Sequence, residues 1–380
     1  MTQPLTTYLK QMAQALATGD ATEHTHRSTL EMLLEELADN VQAINEPKRS
    51  ACGAPDLAVL RDGLLVGHIE AKDVGVSLEA TERSEQLRRY RAALDNLILT
   101  DYLEFRWYVG GELRRTARLA QQDLHGALKK SREGVKAVRE LLTDFLVHTP
   151  EPIGTPQKLA ERMARLAHLI REIIVTAFER GAASETLKGW RQAFAEVLIA
   201  ELDEPENVSQ FADMFAQTLA YGLFSARVMM PPGATFSHQT AQRLIPKTNP
   251  FLRKFFYEIT GPDLDDEPYA GFVNDLVQVL AHADMDAILE DFGRETRQDD
   301  PTVHFYETFL AAYDPALRER RGVYYTPTPV VSFIVRSVDA LLKAKFALPN
   351  GLADTRTIQP SSLPPHVEGS LPKVLILDPA

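Results

Sequence analysis

Asp56, Glu70 and Lys72 are the residues of this chain whose types and spacing suit chemistry on a phosphodiester. Two carboxylates offer the hard oxygen ligands that Mg2+ takes while it keeps several waters. A divalent ion held there lowers the pKa of a water and offsets charge on the phosphoryl oxygens. An ammonium two residues from one carboxylate can hold the attacking water. The same three residue types are common, and they also fit an ordinary hairpin with charged ends.

For the three to act together, the chain must fold back between them. Residues 53–72 read GAPDLAVLRDGLLVGHIEAK. Two apolar runs, 57–60 and 64–69, flank Arg61-Asp62-Gly63, and an Asp-Gly turn between apolar runs predicts a β-hairpin. Asp56 opens the first strand, while Glu70 and Lys72 close the second. Residues two apart on a strand share a face, so Glu70 and Lys72 project together and the hairpin returns Asp56 towards them. A helix over about 80–95 follows. It carries Gln86 and Tyr90 four apart on one face, within reach of DNA or of the metal cluster.

Pro55-Asp56 and Glu70-Ala71-Lys72 resemble the PD-(D/E)xK motif of the restriction-endonuclease-like nuclease superfamily. Gln86-Leu87-Arg88-Arg89-Tyr90 is similar to the Q-x-x-x-Y element that follows the lysine in some of its branches. The resemblance implies an α/β nuclease domain that cuts double-stranded DNA. Asp56 and Glu70 would ligate Mg2+, Lys72 would orient water, and Gln86 and Tyr90 would complete the catalytic set. Such nucleases often carry a glutamate on the helix before the hairpin, which makes Glu31 a candidate for a further metal contact. An exposed helix glutamate is the plainer reading of Glu31.

The chain has 380 residues, 44% of them apolar, enough for two or three packed domains. A single cysteine, Cys52, rules out an intramolecular disulfide, and nothing in the sequence suggests a cysteine-based zinc site. No signal peptide or membrane span is expected, and the cytoplasm is the default location. Net charge is −12, but between Arg106 and Arg191 there are 16 Lys/Arg against 10 Asp/Glu. A basic middle between acidic flanks suits one face that touches DNA, with Arg162, Arg165 and Arg171 as candidates. Plain helix-surface charge is the alternative for each of them.

Residues 5–19 and 24–44 read as helices, the second on the spacing of Leu30, Leu33, Leu34, Leu37, Val41 and Ile44. Strands are expected at 96–100, 103–109 and 112–119, with Gly110-Gly111 as the turn. Amphipathic helices are expected at 134–147, 157–179, 184–201, 207–228, 270–291 and 302–312. This gives a nuclease domain over 1–125 and an all-α connector over 126–320. There is no G-x-x-x-x-G-K-[ST], so no phosphate loop of the Walker type is expected.

The end of the chain carries a second set of residues. Arg321-Gly322-Val323-Tyr324-Tyr325-Thr326-Pro327-Thr328-Pro329 leads into a helix over 330–345, and an apolar strand at 374–378 runs into Asp378-Pro379-Ala380. These resemble the G-x-Y-Y-T-P element and the start of the glycine motif D-P-A-x-G-x-G of gamma-class adenine-N6 DNA methyltransferases. The resemblance implies that 321–380 begins a Rossmann-like methyltransferase domain. Tyr324, Tyr325, Thr326, Pro327, Asp378, Pro379 and Ala380 would contact S-adenosylmethionine. Neither the motif's glycines nor an N-P-P-Y/F tetrapeptide is present, so the rest of that domain and a target-recognition domain are expected beyond Ala380. The order nuclease, helical spacer, methyltransferase resembles single-chain type IIG restriction-modification enzymes, with type ISP features around 301–342. Two other readings stay open: a methyltransferase with a non-cleaving N-terminal domain, and a non-enzymatic helical DNA-binding scaffold.

Overall fold

The computed structural model describes residues 3–18, 23–45, 53–122, 127–149, 153–231, 233–245, 250–261, 264, 266–296, 301–315, 328–358 and 371–375. The chain divides into two compact units, Met1–Arg318 and Glu319–Ala380.

The first unit begins with α1 (Gln3–Thr18) and α2 (Glu23–Leu37), followed by strand β1 (Val41–Asn45). The helix expected over 24–44 therefore ends seven residues early. Asn40 takes a left-handed conformation, φ 60°, which stops the helix and turns the chain. Val41 is buried and Ile44 exposed, so these two leave the helical stripe and alternate on an edge strand instead.

The predicted hairpin forms as β2 (Leu57–Arg61) and β3 (Leu64–Ala71). Asp62 and Gly63 both have positive φ, 52° and 76°, the backbone that a tight two-residue hairpin requires. Asn40 Nδ2 donates to Asp62 Oδ1 at 2.7 Å and fixes the turn against the start of β1. The helix expected over 80–95 divides into α3 (Leu78–Glu82) and α4 (Glu85–Ala93). Ser77 and Ser84 each cap one of them through a side-chain oxygen, and a serine that caps a new helix interrupts the old one. Strands β4 (Asn96–Thr100), β5 (Glu104–Val109) and β6 (Glu112–Arg118) fall where expected.

The six strands form one sheet in the order β1-β2-β3-β4-β5-β6. All neighbours are antiparallel except β3 and β4, which are parallel and are joined through α3 and α4. A short pair, β7 (Ala120–Gln122) and β8 (Leu128–Lys130), leads into α5 (Arg132–Leu146).

Alternation along the strands splits the core in two. Leu57, Val59, Ile69, Ile98 and Phe105 pack with α1, α2 and α5. Leu97, Leu99 and Tyr108 turn the other way and share a core with α3, α4 and the helices that follow. The fold is thus an α/β layer and then a helical region, with apolar packing continuous between them.

That region comprises α6 (Pro156–Glu179), α7 (Glu185–Val197), α8 (Val208–Val228), α9 (His238–Leu244), α10 (Pro250–Ile259), α11 (Ala270–His282), α12 (Met285–Thr296) and α13 (Pro301–Tyr313). The long α6 lies against α4, α8, α11 and α13. The single helix expected over 270–291 breaks at Ala283-Asp284. Asp284 N donates to Ile153 O at 2.9 Å, and the Asp284 carboxylate accepts from Ala287 N at 3.1 Å as the cap of α12. The sequence pattern does not predict α9 and α10, because both are short and periodicity is weak over so few residues.

The second unit contains α14 (Thr328–Lys345), as the pattern of 330–345 predicts, and a two-strand pair, β9 (Thr357–Ile358) with β10 (Leu371–Pro372). Residues 374 and 375 carry no strand, against the expectation for 374–378, and 376–378 lie outside the described residues. Among the described residues no helix is long and apolar enough to cross a membrane.

Candidate active site

The last ladder pair between β2 and β3 is Leu57 with Ile69, which sets Asp56 beside Glu70. The Asp56 carboxylate then does the work of a missing strand residue. Its Oδ2 accepts from Ala71 N at 2.8 Å, so one hydrogen bond locks Asp56 to the segment that carries Glu70 and Lys72. On the other edge of that segment, Lys72 N donates to Thr100 O at 2.8 Å. Lys72 Nζ reaches Glu70 Oε1 at 2.5 Å, so the two side chains share a face as their spacing requires.

Asp56 and Glu70 are both buried, while the Lys72 side chain is 30% exposed. Burial pushes the Glu70 carboxyl up to about 7, and the neighbouring Asp56 charge adds to the effect; Lys72 and Arg27 oppose it. Glu70 Oε2 is buried with no hydrogen-bond partner. A pair of carboxylates with one oxygen unsatisfied is a donor set that fits a hard divalent cation.

Gln86 and Tyr90 come together one turn apart on α4, with Gln86 Nε2 donating to the Tyr90 hydroxyl at 2.9 Å. The Tyr90 hydroxyl donates in turn to Gly53 O. Gly53 lies three residues before Asp56, so the Gln86–Tyr90 pair holds the turn that delivers Asp56 to the site. Burial raises the Tyr90 pKa, and the Glu70 charge raises it further.

Glu31 sits on α2 with Oε1 buried and without a hydrogen-bond partner. Burial raises its pKa, and a hydrogen bond from Asn45 lowers it. Among the described residues no group of three or more His, Cys, Asp or Glu side chains converges to hold a metal, so Glu31 does not join Asp56 and Glu70 in one such cluster. The sequence reading missed Arg27, whose Nη2 lies 2.5 Å from Asp56 Oδ1 in a buried ion pair. A signal was present: Arg27 stands three residues before Leu30 and seven before Leu34, on the apolar stripe of α2. A charge on a buried stripe needs a partner.

Three arginines of the basic middle make contacts within the fold. Arg162 pairs with Asp95, Arg165 Nη1 donates to Ala92 O at 3.0 Å, and Arg171 pairs with Asp213 at 2.9 Å. These arginines tie α6 to the end of α4, the start of β4 and α8. A cavity of about 370 Å3 lies beside the first residues of β3 and β4, lined among others by His68, Asn96, His148, Arg162 and Asp275. None of Asp56, Glu70 and Lys72 lines it.

Tyr324, Tyr325, Thr326, Pro327, Asp378, Pro379 and Ala380 lie outside the described residues. Helix α14, which follows the first group, leaves Val331, Ile334, Val335, Val338 and Leu341 exposed.

No protein-family model and no curated protein matches this sequence. Among solved structures it is similar to a chain of the cryoEM structure of a DrdV–DNA complex, at 20% identity and a TM-score of 0.31, over 93% of this chain and 33% of that one. This chain therefore spans about a third of that chain's length.

Proposed function

We propose that this chain is the N-terminal part of a DNA restriction-modification enzyme, and that Asp56, Glu70 and Lys72 form its endonuclease site. The observation that carries the reading is the buried, partnerless Oε2 of Glu70 beside Asp56. A buried carboxylate oxygen without a donor is costly unless a cation occupies the site. Mg2+ would be held by Asp56 and Glu70, and when bound it supplies charge stabilisation to the phosphodiester and a more acidic water.

The remaining work belongs to the chain's own groups. The Ala71 amide fixes the Asp56 carboxylate, so that ligand is held before DNA arrives. The partly exposed Lys72 ammonium holds the attacking water or a phosphate oxygen and keeps Glu70 Oε1 oriented. Gln86 and Tyr90 secure the turn before Asp56 from α4. The expected substrate is double-stranded DNA.

Residues 321–380 are read as the beginning of an adenine-N6 methyltransferase domain, with S-adenosylmethionine as its cofactor. The support is the sequence resemblance around Tyr324–Pro327 and Asp378–Ala380, together with the apolar face of α14, which is exposed among the described residues. The test of the cleavage function is Mg2+-dependent conversion of supercoiled plasmid to nicked or linear DNA. A protein that cuts equally well with Asp56 and Glu70 replaced by alanine would exclude this site.

A further inference from the structure

Arg27 occupies a place that the nuclease reading leaves unassigned. Its side chain is 5% exposed, and it donates to Asp56 Oδ1 at 2.5 Å. The same guanidinium acts electrostatically on Glu70 and on Glu31. Arg27 thus pairs with one carboxylate while its charge also acts on two others, and each of those two holds a buried oxygen with no hydrogen-bond partner, Glu70 Oε2 and Glu31 Oε1. Glu31 is four residues beyond Arg27 on α2, one turn along the same helical face.

Asp56 needs a positive charge whether or not metal is bound, because a buried carboxylate stripped of its partner is strongly unfavourable. A divalent ion on Asp56 supplies that charge, and it then repels the guanidinium already there. Arg27 has somewhere to go without movement of the helix, since residues i and i+4 are within side-chain reach through a change of rotamer.

We propose that Arg27 is the resident counter-ion of the cleavage site, which competes with the divalent ion for Asp56 and is received by Glu31 when that ion binds. The proposal rests on the reading of Asp56 and Glu70 as metal ligands. It makes Arg27 and Glu31 positioning residues that set the metal concentration at which the site fills.

Calorimetric titration of the whole chain with Mg2+ alone, without DNA and at pH 8.5, tests it. Arg27→Gln removes the competing charge and is expected to tighten Mg2+ binding roughly tenfold, the size of one opposite-charge effect at a carboxylate. Arg27→Lys keeps the charge and should stay near the wild-type affinity. Glu31→Gln removes the receiving group and should weaken binding. Damage to the fold loosens metal binding, so the sign of the Arg27→Gln change separates competition from mere disruption. Equal or weaker binding by a cooperatively melting Arg27→Gln protein overturns the proposal. If that variant does not fold, unchanged affinity in Glu31→Gln overturns it instead. The reading of the metal site itself fails in a different way: Asp56→Asn and Glu70→Gln would then bind Mg2+ as the wild type does, or no protein would bind it.

Discussion

His68 Nε2 lies 2.9 Å from Asp275 Oδ2, a contact that joins strand β3 to helix α11 across 207 positions of sequence. His68 is two residues before Glu70 and on the same face of the strand. The helical region thus grips strand β3 directly beside the buried Glu70 carboxylate. Asp275→Ala leaves the His68 ring, itself 4% exposed, without this partner. The expected cost is about 1–3 kcal/mol, read from urea unfolding. Unfolding that matches the wild type would show that the contact is incidental.

Replacement of Glu70 or Lys72 should act on cleavage far more than on folding, whereas Asp56→Ala also strands the buried Arg27 guanidinium, so its cleavage is read beside a thermal melt. Asp56→Ala and Glu70→Ala are expected to bring plasmid cutting to background. Lys72→Ala removes a group that orients water and should slow cutting by on the order of 10²–10⁴. Near-wild-type cutting by the Lys72 variant would take that residue out of the mechanism.

Breaking the Arg27–Asp56 pair from the cationic side takes away the buried ion-pair partner of Asp56. Arg27→Ala should therefore destabilise the metal-free protein by about 3–5 kcal/mol. Mg2+ should restore part of that loss, because it returns positive charge to the same carboxylate. Thermal melts with and without Mg2+ decide the point: a variant whose midpoint ignores the ion speaks against metal at Asp56.

The Glu70 carboxyl titrates at about 7 in the folded, metal-free protein, against 4.5 for an ordinary glutamate. Its folded pKa is raised, so its contribution to stability is complete below about 4.5 and is lost as pH rises through about 7. Between those values the folded state holds more protons than the unfolded state. Stability of the metal-free protein should fall with rising pH in that window, and Glu70→Gln should flatten the slope. Mg2+ needs the ionised carboxylate, so its affinity should climb over the same range. Denaturation midpoints measured from pH 4.5 to 8 test the first claim, and titrations with Mg2+ test the second.

Tyr90→Phe deletes the hydroxyl that receives Gln86 and secures Gly53. A loss of about 1 kcal/mol is expected, with slower cleavage from a looser approach to Asp56. The same variant should leave the α4 helix intact, since the buried ring is retained. Unchanged stability and rate would mean that the Gly53 turn is held by other contacts.

The hairpin was legible from local chemistry alone. Asp62-Gly63 accepts the left-handed backbone that a two-residue turn demands, and the apolar runs on either side set the register that returns Asp56 to Glu70. The shared face of Glu70 and Lys72, and the one-turn pairing of Gln86 with Tyr90, follow from strand and helix periods in the same way. Local pattern misled where two periods compete: Val41 and Ile44 extend the spacing of α2, yet Asn40 breaks the helix and they pair with β2. What tertiary structure alone decided are the contacts between residues far apart in the chain. Arg27 reaches Asp56 across 29 positions, and His68 reaches Asp275 across 207. Arg162, Arg165 and Arg171 look like a basic face in one dimension, and the packing of α6 on α4, β4 and α8 also gives each of them a partner within the fold. Periodicity tells which side of an element is buried; only the packing of one element on another tells which charge meets which.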